Sequence, residues 1–387
     1  MIGALVPACT HGNQAADTRA SEDLSLPCVD VFSPPEGGYP NIRIPAIVAT
    51  QKATLLAFAE GRQGGDHSEN DIILKRSLDG GATWGPVQII SEMGGDSLND
   101  PCAVVLDTGR VLLLFQRFPQ GYHARRMEGH TEMAELGYGG PRNTQSFLTH
   151  SDDDGITWAP PRDITQSIRR PDAISVGSPG IGIQLAKGPH KGRLLLPLYE
   201  TIPMDDDRYW RNAVAISDDG GKTWRYSERV PHEGLKGYSN EAQVVELADG
   251  TILLSSRNQG GRLCRKSARS RDAGETWEPM REDPDLVTPP CMGSVVSLPR
   301  GVGEKPLLLI SLPNTTKPRR NGTVFISADE GETWPLKRTI YPGGFAYSCL
   351  VPLPEKKAGC LFERDGYRYT SFATFGLDYF GALPPSP

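Results

Sequence analysis

Three arginine-bearing segments stand far apart in the chain: Ile42-Arg43-Ile44-Pro45, Ser256-Arg257-Asn258 and Arg319-Arg320-Asn321. A guanidinium is planar, permanently charged and able to grip a carboxylate through two parallel hydrogen bonds. Arginines brought to one point would form a receptor for an acidic ligand, and their mutual repulsion would require a carboxylate to hold at least one of them. A glycine-rich stretch, Phe58 to Asp71, carries Arg62, Asp66, His67, Glu69 and Asp71. Its carboxylates are of the type that exchanges protons with a substrate. Tyr347 follows Gly343-Gly344-Phe345-Ala346; with an ordinary pKa of about 10, a tyrosine is a weak nucleophile until a base takes its proton. His67 has no partner at metal-ligand spacing, and the seven cysteines are scattered without a C-x-x-C pair. Neither a metal nor an organic cofactor is expected. The odd cysteine count excludes a complete intrachain disulfide framework and points to buried free thiols.

The elements that would position such groups are set by a repeat. The pattern Ser-x-Asp-x-Gly-x-Thr-Trp occurs five times, beginning at Ser77, Ser151, Ser217, Ser270 and Ser327, and it takes every tryptophan except Trp210. This is the chemistry of a folded turn. Asp and Ser side chains satisfy nearby N–H groups, Gly takes a positive φ, Thr is expected to open a strand, and Trp buries an apolar face. The repeats are scaffold and say nothing of function. Their starts lie 53 to 74 residues apart, room for four short strands with loops, the size of a propeller blade. Hairpins with glycine turns lie between copies, at Ala103–Leu114 and Val244–Leu254.

The expected fold is therefore all-β, a six-bladed β-propeller in a single domain over residues 28–387. The strands around Ile42–Glu60 and Phe345–Thr374 are expected to complete the sixth blade together, with the ring closed by pairing of the two ends. Phe118–Arg142 lacks alternation and reads as an inserted loop. Residues 1–27 read as an N-terminal arm or leader remnant, apolar over Met1–Thr10 and polar over His11–Leu26. The net charge of −6 and the absence of a basic stripe argue against a nucleic-acid partner. No run approaches the about 20 apolar residues of a membrane span.

The five repeats resemble the Asp boxes of sialidases, and Ile42-Arg43-Ile44-Pro45 resembles the (Phe/Tyr)-Arg-Ile-Pro motif of bacterial and animal exo-sialidases, with Ile in place of the aromatic residue. The resemblance runs from about Pro40 to Arg364. It implies a carboxylate clamp of Arg43, Arg257 and a third arginine, Arg319 by its position three residues before Gly322, with Arg320 as the alternative. It implies Glu363 as the group orienting Arg43, Asp66 as acid/base with Glu69 and Asp71 as competitors, Tyr347 as nucleophile and Glu241 as its base. Arg62 is implied as a further pocket residue. Asp100, in Asn99-Asp100-Pro101, resembles a segment near the sugar's acyl-amino group.

The reaction implied is hydrolysis of a terminal α-linked sialic acid from a glycoconjugate, with retained configuration and a sialyl-tyrosine intermediate. A tyrosine suits this substrate because a carboxylate nucleophile would be repelled by the sugar's own carboxylate. Three alternatives share the clamp: hydrolysis of a related 2-keto-3-deoxy acid sugar, intramolecular trans-sialylation, and non-catalytic sialic-acid binding. The last has no need of Tyr347, Glu241 and Asp66 together. The substrate class points to a secreted or periplasmic location. The start of the chain lacks a basic segment and a full apolar core, which leaves a cytoplasmic one open.

Overall fold

The computed structural model describes residues 25–383 apart from residues 125, 127–130, 205–206 and 301–303. Nearly all of the expected N-terminal arm, including Cys9, lies outside the described residues, as does part of Phe118–Arg142. The described strands sort into six antiparallel groups of four principal strands, blades I to VI. Blade I is Asn41–Ala49, Leu55–Arg62, Asn70–Ser77 and Gln88–Ser91. Blade II is Ser97–Val105, Val111–Phe118, Gln145–Ser151 and Arg162–Asp163. Blade III is Ile174–Gly177, Leu194–Met204, Asp207–Ser217 and Arg225–Tyr226. Blade IV is Tyr238–Glu246, Ile252–Gln259, Cys264–Ser270 and Arg281–Val287. Blade V contains Ser294–Leu298, Leu307–Pro313, Arg320–Ser327 and the first part of the long strand Leu336–Leu353; the rest of that strand opens blade VI, followed by Lys357–Arg364 and Tyr369–Gly376.

The fourth strand of blade VI is Cys28–Phe32, paired antiparallel to Tyr369–Gly376. This corrects one expectation. Ile42–Glu60 belongs to blade I, and the ring is closed by the segment before it. It also explains why six blades carry five boxes. Each box joins a third strand to a fourth, and in blade VI the fourth strand comes from the other end of the chain, so no such connection exists. Successive blades touch in turn, blade III meeting Tyr238–Glu246 of blade IV through Leu194–Met204 and Asp207–Ser217, and the ring returns to its start with Leu336–Leu353 lying against Asn41–Ala49.

Period-two alternation feeds two cores from each blade. Leu194, Leu196 and Leu198 pack toward blade II while Leu195 packs toward blade IV. Leu55, Ala57 and Ala59 face blade VI while Leu56 and Phe58 face blade II. Six apolar clusters result, one at each blade-to-blade contact. Ile181, in a short segment running parallel beside Cys102-Ala103, touches three of them. Five of the six described cysteines are buried free thiols and Cys28 is partly exposed.

Each box folds as its chemistry requires. In the first, Ser77 Oγ donates to Asp79 Oδ1 and accepts from Gly81 N–H, and Asp79 accepts from Thr83 N–H and Oγ. The threonine therefore closes the turn and does not open a strand as expected; the fourth strand begins only at Gln88. The box glycine serves the neighbouring blade as well. Gly221, at φ 85°, lies so close to Leu112 of blade II that a Cβ would sit 2.6 Å from its methyl group. Gly81, Gly155, Gly274 and Gly331 stand in the same relation to Phe372, Leu56, Leu195 and Leu253. The boxes thus staple each blade to the one before it.

Gly221→Ala should lower stability by about 2–4 kcal/mol, from left-handed strain and overpacking together. Gly220→Ala, equally left-handed but with open space around its Cβ, should cost only the strain, about 1–2 kcal/mol. Urea denaturation of both variants checks the difference; equal losses would remove the inter-blade role.

Candidate active site

In blade I, Asn41 pairs with Arg62 at one end of the hairpin and Leu55 with Ser77 at the other. First strands therefore begin, and second strands end, on the face opposite the boxes. There, the first strands of blades I, II, IV and VI are all bulged at the same level. Regular pairing skips Ile44-Pro45, Asp100-Pro101, Asn240-Glu241 and Ala346-Tyr347. A bulge re-aims side chains out of the ladder. Pro45 and Pro101, having no N–H to donate, suit positions where no ladder bond is made. Ile44 and Asp100 take left-handed conformations, at φ 62° and 56°.

The turned side chains meet in a cavity of about 370 Å³ lined from all six blades. Arg43 donates from Nε and Nη2 to Glu363 at 2.6 and 3.0 Å, a bidentate pair. Glu363 is fully buried and also accepts from the N–H of Ile44 and of Tyr347. The Arg43 guanidinium lies 3.8 Å from the ring centre of Tyr367. Tyr347 Oη donates to Glu241 Oε1, and Arg257 Nη1 donates to Tyr347 Oη at 2.9 Å and to Glu241 Oε2 at 2.8 Å. Burial and the Glu241 carboxylate push the Tyr347 phenol well above its ordinary value, against the pull of Arg257 and Arg319.

Arg319 donates to the Pro290 carbonyl at 2.8 Å and to the Tyr367 hydroxyl at 3.2 Å, and among the described residues it has no carboxylate partner. Arg43 and Arg257 each do. Arg319 is therefore a guanidinium left without a carboxylate at this corner, a place for an anion. Arg320 is exposed and does not line the cavity.

Asp66 is half-exposed on its glycine-rich loop, 2.5 Å from Arg62 Nη1 and 3.9 Å from Arg43 Nη1. Burial alone would raise its carboxyl, but the charge and hydrogen bond of Arg62, with Arg43 and His67, hold it down at about 2. Glu69 and Asp71 do not reach the cavity; Asp71 accepts from the Tyr39 hydroxyl at 2.7 Å. Arg62 also donates to Glu60, which is fully buried and accepts from the Asp100 N–H at 2.7 Å. Burial, with Glu60 and Glu241 nearby, pushes the Asp100 carboxyl well above the usual range. Asp100 accepts from Tyr199 Oη at 3.0 Å. All nine site residues named from the sequence are thus brought together, Glu363 just behind the cavity wall.

Sequence reasoning assigned no role to Glu60, Tyr199, Trp210, Asn240, Gln259, His123 or Tyr367, which complete the wall. Glu60 carried a signal, two residues before Arg62 on the same strand. Tyr199 and Tyr367 carried none, since each is aimed by another blade. His67 stacks edge-on against His123 from the inserted loop, 4.0 Å between ring centres. Among the described residues no cluster of histidine, cysteine and carboxylate side chains is placed to hold a metal, and no helix is long and apolar enough to cross a membrane.

The profile of the BNR repeat-like domain matches residues 53–371. The chain is 33% identical over 360 residues to a sialidase of Micromonospora viridifaciens, covering 89% of this chain and 53% of that protein. It is 32% identical over 342 residues to a sialidase of Bacteroides fragilis, covering 83% and 59%. The chain thus spans little more than half the length of these curated relatives. Among solved structures, the Hadza microbial sialidase Hz136 superposes with a TM-score of 0.77 at 28% identity, over 88% of this chain and 67% of that one.

Glu363→Ala should destabilise the protein by about 3–5 kcal/mol, because it strands the buried Arg43 charge; the unfolding midpoint in urea reads this. Asp66 supplies an acid-sensitive increment. Its folded pKa lies below the unfolded value of 3.8, so its stabilisation is complete above that value and is lost as pH falls through about 2. The melting-temperature gap between wild type and Asp66→Asn should be constant near neutrality and narrow below pH 4.

Proposed function

We propose that this chain, which belongs to the BNR-repeat sialidase family, hydrolyses a terminal α-linked sialic acid from a glycoconjugate with retention, through a sialyl-tyrosine intermediate. The observation that carries the reading is the contact of Tyr347 with Glu241 and Arg257, groups about a hundred residues apart in sequence. A phenol held well above its ordinary pKa is not an anion at neutral pH. Its proton must pass to Glu241 as attack proceeds, and Arg257 stabilises the charge on both oxygens.

The sugar carboxylate enters among Arg43, Arg257 and Arg319, where Arg319 supplies the unmatched positive charge. Tyr347 Oη then bonds to the anomeric carbon, the bond to the leaving oxygen breaks, and Asp66 protonates that oxygen. In the second step Asp66 takes a proton from water, the water oxygen displaces Tyr347, and Glu241 returns the proton to the phenol. With its pKa near 2 while bonded to Arg62, Asp66 is ionised in the free enzyme and is a poor acid. A substrate carboxylate among the arginines draws on the same charges and raises Asp66 toward the acid form. Glu60 keeps Arg62 in place as Asp66 turns toward the leaving oxygen.

Tyr347→Phe should lower kcat on a sialoside by at least roughly 10³-fold while leaving the melting temperature within a few degrees of wild type. Near-normal turnover would sink the mechanism. Asp66→Ala should cost about 10²–10⁴-fold on a sugar leaving group and far less on an activated aryl group that departs without protonation. NMR of the first-formed product should give the free α-anomer. An anhydro sugar instead would assign the chain to intramolecular transfer.

A further inference from the structure

Two cavities meet at Asp66. The first, described above, contains Tyr347, Glu241 and Arg257. The second, about 440 Å³, shares Arg43, Arg62, Asp66 and Tyr367 with it but is not lined by Tyr347. Its remaining wall includes Pro34, Pro40 and Arg368. In a displacement by Tyr347 the leaving group departs from the opposite face of the anomeric carbon, and the acid must stand within reach of the leaving oxygen. Asp66 is the proposed acid and lies on the boundary. The leaving group is therefore directed away from the tyrosine and into the second cavity.

The charges of that cavity are unequal in kind. Arg43 is matched by Glu363, and Arg62 by Glu60 and Asp66. Arg368 is exposed at the outer wall, and among the described residues no ion pair or hydrogen bond of its side chain is found. Pro34 and Pro40 give the cavity an apolar side against which a sugar ring can lie. We propose that the second cavity is the subsite for the leaving group and that Arg368 favours leaving groups bearing a negative charge, such as a second acidic sugar residue. The inference rests on the hydrolase reading above and adds to it a substrate class.

The test compares two substrates, a sialic acid linked to a second sialic acid and an uncharged aryl sialoside, on wild type and Arg368→Gln. For the variant, kcat/KM on the acidic leaving group should fall roughly two- to fivefold, the range of an exposed ion pair. Its kcat/KM on the aryl sialoside should be unchanged, because Arg368 is outside the first cavity. Arg368→Lys should retain most of the difference. Raising the salt concentration should erode the wild-type ratio and leave that of Arg368→Gln unmoved. An unchanged ratio in Arg368→Gln, or an equal loss on both substrates, would overturn the subsite assignment while leaving the hydrolase reading standing. Failure of the wild type to cleave either substrate would overturn the hydrolase reading and this inference with it.

Discussion

The Glu363 carboxylate is buried at the seam where the last strands of the chain meet the first, and it accepts hydrogen bonds from two nitrogens of Arg43 and from the backbone N–H groups of Ile44 and Tyr347. A carboxylate taken out of water costs several kcal/mol unless its charge and lone pairs are met. Here both are met, and the partners that meet them lie on the bulges of blades I and VI. The orientation of Arg43 and the position of Tyr347 are consequently one problem with one solution. Because blade VI is completed by Cys28–Phe32, this geometry exists only in the closed ring.

The two faces of the propeller divide the work. On one, the boxes satisfy their own polar groups locally and use their glycines to seat each blade against its neighbour. Their aspartates are held low, Asp79 at about 2 chiefly by its hydrogen bonds to Thr83, so they serve as permanent acceptors. On the other face, the bulges interrupt regular pairing and turn polar side chains into a common space. That space gathers like charges, Arg43, Arg62, Arg257 and Arg319, and compensates three of them with Glu363, Glu60, Asp66 and Glu241. The fourth, Arg319, is held by a carbonyl and a phenol. An arginine without a carboxylate of its own distinguishes a ligand site from a structural network, since a bound anion can pair with it.

The blades were legible in the sequence because the box is local: its hydrogen bonds span at most four residues, so spacing alone reveals it. The order of the sheets was less so. The assignment of Ile42–Glu60 to the last blade failed because which strand completes a ring depends on a contact between residues more than 300 apart, and no local pattern encodes it. The threonine of the box departs from the expected strand for a related reason. Its β-propensity is real, but a nearby carboxylate claimed its hydroxyl and N–H first.

For the site, motifs and residue types determined which groups to consider: Arg43, Arg257, Tyr347, Glu241, Asp66 and their companions all line or adjoin one cavity. What tertiary structure alone decided was their relation to one another. Arg319 rather than Arg320 enters the cavity because the strand Arg320–Ser327 pairs in a register that leaves Arg320 outside. Glu60, Tyr199 and Tyr367 join because other blades aim them there. Residue types carry chemistry wherever they stand, but which of them a carboxylate or a phenol can reach is set by distances that only the closed ring defines.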